Sequence, residues 1–83
     1  MLNETALSAL VLSEVRDLLM LQYQRDPNYW FTVPQIKREM MSKCPAIYHA
    51  KLTQIITVGL SMSILGVEYS QDSSGTIYYQ LPH

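Results

Sequence analysis

Four of the chain's six basic side chains, Lys37, Arg38, Lys43 and Lys51, fall within fifteen residues. Against Glu39 alone they leave residues 32–58 at +3, although the whole chain carries −1. A polyanion docks on local field and not on the total, so this stretch is where a nucleic acid would bind. His49, Gln54, Thr57 and Ser61 lie in and just beyond it and add hydrogen-bonding side chains. Other chemistries are poorly served. Cys44 is the single cysteine and has no partner for an internal disulfide. Cys44 and His49 supply two potential ligands where a structural zinc needs four, so no metal or other cofactor is expected. With two histidines, no glycine-rich phosphate loop, no nucleophile elbow and no carboxylate pair on a plausible cleft, the chain reads as neither an enzyme nor a small-molecule binder.

These side chains need elements to hold them, and 83 residues suffice for one domain, residues 1–83, around one core. An apolar fraction of 48% argues against disorder, which needs low hydrophobicity and high net charge. The longest apolar stretches fall far short of the roughly 18 residues of a membrane span. The opening "MLNETALSALVLSEV" carries Glu4 in place of positive charge, which argues against a signal peptide. A lone cysteine suits a reducing cytoplasm.

From a cap at Asn3 or Thr5, Leu7, Val11, Val15, Leu18 and Leu19 recur at three- and four-residue steps and predict an amphipathic helix of about five turns, ending before "RDPNY". "YWFTV" is β-branched and aromatic and predicts a short strand stopping at Thr32. "TVPQ" then combines a Thr cap, a proline in the first turn and a glutamine three residues after the cap, so a second helix over 33–42 follows. Its inward residues are Val33, Ile36 and Met40. Pro45 interrupts and restarts the pattern, giving a third helix over 46–64 that buries Leu52, Ile55, Ile56, Leu60 and Ser63 or Ile64. Gly66 stops it. A hairpin closes the order, with Val67, Tyr69, Ile77, Tyr79 and Leu81 on the inner face, Tyr78 and Gln80 opposite, and a loop over 71–75. Trp30, Phe31, Tyr69 and Tyr79 are expected in the core, and Tyr29 and Tyr78 at the surface.

This order is α+β: three helices and a small antiparallel sheet. It resembles a winged helix-turn-helix domain along the whole chain, most specifically in "FTVPQIKREM" and "LSMSILGVEYS". The resemblance implies that "WFT" pairs with the hairpin, that the third helix enters the major groove of double-stranded DNA, and that the loop over 71–75 is the wing. Gln54 and Lys51 would then read bases, Lys43, Lys37 and Arg38 would hold phosphates, Thr57 and Ser61 would touch the backbone, and His49 would offer a further phosphate contact. A wing without Lys or Arg, carrying Asp72 instead, departs from the pattern of DNA-gripping wings. Leu10, Met20 and Leu21 lie outside the main apolar arc of the first helix and suggest a homodimer through it. The leading expectation is therefore a compact dimeric regulator of transcription; the alternative is a winged-helix module for protein contact without DNA binding.

Overall fold

The computed structural model describes residues 3–61 and 65–82. Helix α1 runs Glu4–Arg25, and the Asn3 side chain caps it, accepting from the Ala6 N–H at 2.8 Å. Leu7, Val11, Val15 and Leu19, each four residues from the next, form its buried stripe. The chain leaves the helix at Asp26, whose carboxylate accepts the Asn28 N–H at 3.0 Å and closes a turn.

Helix α2 runs Val33–Met41 and opens on a complete capping box. The Gln35 N–H donates to Thr32 Oγ1 at 3.4 Å, and the Thr32 N–H donates to Gln35 Oε1 at 3.0 Å. Two donors that begin a helix without partners are thereby satisfied. Ile36 and Met40 point into the core, and Val33 is half-buried. The third helical segment is divided: Ala46–Tyr48 form a 3-10 turn after Pro45, and helix α3 runs His49–Ser61. Leu52, Ile56 and Leu60 are buried as expected and Ile55 is half-buried. Ser63 and Ile64, the last expected inward positions, lie outside the described residues.

Strands β1, Glu68–Gln71, and β2, Ile77–Gln80, pair antiparallel with Tyr69 opposite Tyr79 and Ser70 opposite Tyr78. The expected third strand contracts to one bridge. Phe31 donates to the Tyr79 carbonyl at 2.8 Å and accepts from its N–H at 2.7 Å. The contraction has a local cause: the next residues whose backbone would face the Tyr79 strand are Tyr29 and Val33, and the Tyr29 N–H is committed to the Asp26 carbonyl while Val33 already begins α2. The molecule is thus α+β, with three helices and a two-stranded sheet joined to them at Phe31.

The hairpin's inner face differs from a strict alternation. Tyr79 and Leu81 are buried and Val67 is half-buried, but Tyr69 is 71% exposed and Ile77 38%. Only the root of the hairpin meets the helices, and its distal half extends past them. Gln80, placed by alternation on the outer face, is 6% exposed, because the Pro27–Tyr29 turn folds over it and its amide donates to the carbonyls of Pro27 and Tyr29. Phe31 joins the core and stacks edge-on with Tyr29, whereas Trp30, one residue earlier and on the opposite face, is half-buried outside it. Among the described residues no helix is long and apolar enough to cross a membrane.

Candidate nucleic-acid interface

Helix α2, the turn after it and α3 carry every residue assigned to DNA from the sequence. The turn is built by the backbone: Lys43 and Cys44 both donate to the Met40 carbonyl, Tyr48 donates to the Pro45 carbonyl, and Ser42 Oγ donates to the Glu39 carbonyl at 2.7 Å. His49 closes it, its Nε2–H donating to the Cys44 carbonyl at 2.9 Å. That bond gives His49 a structural task and turns its ring toward the loop. Cys44 is half-buried, and burial, followed by the nearby Glu14 carboxylate, pushes its thiol above the ordinary range, away from the reactive thiolate.

The four cations do not act alike. Lys37 is half-buried on the flank of α2, Arg38 is exposed opposite Ile36 and Met40, and among the described residues neither has an ion-pair partner. Lys43 lies 3.5 Å from Glu14, and Lys51 lies 2.8 Å from Glu4. The hydrogen bond from Lys51, with its charge, holds the Glu4 carboxyl below the usual glutamate range. Two acids of α1 therefore answer two of the four cations. This masking is invisible along the chain, since Glu4 and Lys51 stand 47 residues apart.

Gln54, Thr57 and Ser61 are exposed on the side of α3 away from Leu52, Ile56 and Leu60. Those three follow i, i+3, i+7 spacing and form one stripe, whereas Lys51 lies to one side of it: at 100° per residue it stands about 120° around the helix from Thr57. Lys51, Gln54 and Val58 border a groove of about 290 Å³ between α1 and α3, floored by Leu7, Leu12 and Ile55. The helices approach closely there because Gly59 has no Cβ; one would collide with the Leu12 side chain. The Ser61 hydroxyl donates to the Val58 carbonyl at 3.0 Å, leaving its oxygen able to accept.

The loop after β1 is organised by one carboxylate. Asp72 Oδ1 accepts from the Ser74 N–H at 2.9 Å, the Ser74 hydroxyl at 2.6 Å and the Thr76 N–H at 3.1 Å, and Oδ2 accepts from the Tyr78 hydroxyl at 3.1 Å. These bonds, the Ser74 hydroxyl first, hold the Asp72 carboxyl below its ordinary range, and the Tyr78 phenol is correspondingly raised. Gly75, at φ +91°, closes the loop in a conformation that other residues rarely adopt.

On α1, Leu10 and Leu21 are 55% and 48% exposed, while Met20 is half-buried against the core. Leu10, Glu14, Asp17 and Leu21 follow one another along one stripe of the helix. Comparison with protein-family models, curated proteins and solved structures finds no match to this chain.

Proposed function

We propose that the chain is a winged-helix regulator of transcription that binds duplex DNA through α2 and α3 in the cytoplasm. The observation that carries this reading is the outward face of α3: Gln54, Thr57 and Ser61 are exposed on it, and α2 beside it brings two cations, Lys37 and Arg38, with no ion-pair partner among the described residues. Short neutral side chains let a helix backbone settle into a major groove, and Gln54 is suited to the paired donor and acceptor of adenine. Lys37 and Arg38 hold phosphates and set register. Lys43 and Lys51 join by exchanging Glu14 and Glu4 for phosphate, an exchange open to exposed pairs. The hairpin loop, with Asp72 at its centre, stays off the polyanion.

The homodimer through α1 belongs to the same proposal in a restricted form. An antiparallel alignment that places Leu10 opposite Leu21 of a second copy would oppose Glu14 to Asp17 and repel. A steep two-fold crossing centred on Leu10 confines the contact to one or two turns and avoids this.

Binding to duplex DNA measured against salt tests the reading. Binding should weaken steeply as salt rises, and the Lys37→Ala, Arg38→Ala double variant should lower the slope by about two phosphates' worth. Absence of binding to random or genomic duplex at low salt rejects it. A module for protein contact is the second reading, favoured by Ile47, 64% exposed, and Val58, also exposed. Retained α-helical signal without any salt-dependent DNA binding would select it.

A further inference from the structure

The outer face of the hairpin sheet is a separate surface, and neither the cationic helices nor the core accounts for it. Pairing of Phe31 with Tyr79 puts those two side chains on the inner face, so their chain neighbours Trp30 and Tyr78 fall on the outer one. Ser70, directly across from Tyr78, shares that face, and the turn that covers Gln80 brings Asn28 beside them. Together Asn28, Trp30, Ser70 and Tyr78 line an open depression of about 310 Å³.

Three properties of the depression define its ligand. Its walls are two half-buried aromatic rings, and one is fixed in place by the bond from the Tyr78 hydroxyl to Asp72. Each of its polar groups can donate: the indole N–H of Trp30, the side-chain amide of Asn28 and the hydroxyl of Ser70 have no hydrogen-bond acceptor among the described residues, although Asn28 and Ser70 can also accept. Its electrostatic border is acidic, with Glu68 on the same face as Ser70 and Asp72 beside Tyr78, and no Lys or Arg follows Lys51 in the chain. The ligand must therefore offer apolar ridges to aromatic faces, present free carbonyls, and carry positive charge or none.

We infer that this face binds a proline-rich, basic segment of a partner protein in the polyproline II conformation. Such a segment has no internal hydrogen bonds, so its carbonyls are available to donors, and its proline rings pack on aromatic grooves at little conformational cost. Arg or Lys in the segment would meet Glu68 and Asp72. A single-stranded nucleic acid also stacks on aromatic rings, but its phosphates would face these carboxylates, and no Lys or Arg lines the depression to compensate. The inference does not depend on the DNA reading of α2 and α3.

Trp30 is the chain's single tryptophan, so its fluorescence reports on this depression directly. The full chain should be titrated with a synthetic peptide carrying prolines at Pro-x-x-Pro spacing and flanking arginines. A saturable emission change is expected. It should weaken about tenfold or more in Ser70→Arg, which fills an exposed site without touching the core, and several-fold in Glu68→Lys, while circular dichroism stays that of the parent. The same peptide with alanine for proline should not bind. No saturable change at millimolar peptide, equal binding of the alanine peptide, or tighter binding of a thymidine oligonucleotide would each overturn the inference.

Discussion

The α2–α3 face and the outer face of the hairpin sheet are both exposed, yet they are chemically opposed. The first carries all four clustered cations and short neutral side chains, and the second is lined by aromatic rings, bordered by carboxylates, and has no cation among the residues that line its depression. In so small a chain this segregation would separate ligands by charge: a polyanion would be drawn to one face and discouraged from the other. The two regions also differ in how they are held. Helices α2 and α3 bury Ile36, Met40, Leu52 and Ile56 completely, whereas the hairpin is anchored at its root through Phe31, Tyr79 and Leu81.

Cutting that anchor gives the largest effect. Phe31→Ala should cost about 3–5 kcal/mol by the usual loss for a buried phenylalanine, measured by chemical denaturation. The backbone bridge to Tyr79 survives the substitution but loses the packed ring beside it, so the hairpin's amide protons should also exchange faster than those of α2 and α3. Equal acceleration in both regions would mean that the hairpin is not a separately held element. Thr32→Ala probes the helical side. It removes the hydroxyl half of the capping box and should cost about 1 kcal/mol with little change in hairpin protection.

Smaller effects sharpen the electrostatic side of the comparison. Glu4→Gln and Glu14→Gln release Lys51 and Lys43, so duplex binding should tighten at low salt, the salt slope should steepen, and the gain should fade at high salt. Unchanged binding in both variants would show that the masked cations take no part. The least effect concerns the loop. Asp72 has a folded-state pKa below its ordinary value of 3.8, so its contribution is present above that value and is lost as pH falls through the lower, folded value. The Ser74 and Thr76 amide resonances should therefore move only below about pH 3.8, and Asp72→Asn should abolish that movement. Movement centred near neutral pH would contradict this assignment.

Much of this architecture was legible along the chain because it rests on local chemistry. Asn3 and the Thr32–Gln35 box cap their helices whatever surrounds them, and the four-residue spacing of Leu7, Val11, Val15 and Leu19 defines a buried stripe. Pro45 correctly marked a break, though not that a 3-10 turn would precede α3. Alternation placed Tyr79 and Leu81 inward but misplaced Tyr69, Ile77 and Gln80, because period two tells which residues share a face and not whether anything covers that face.

The interface shows the same division. Sequence alone determined that the cations cluster between Lys37 and Lys51, that the hairpin has none, and that Gln54, Thr57 and Ser61 fall opposite the buried stripe of α3, since composition and helical period need no knowledge of neighbours. Only the tertiary structure decided which cations remain unanswered, that His49 is spent on its own turn, and that Trp30 and Tyr78 flank one depression with Asn28 and Ser70. Coulomb attraction and side-chain packing act over a few ångströms of space, and the distance along the chain between Glu4 and Lys51, or between Trp30 and Tyr78, carries no record of that proximity.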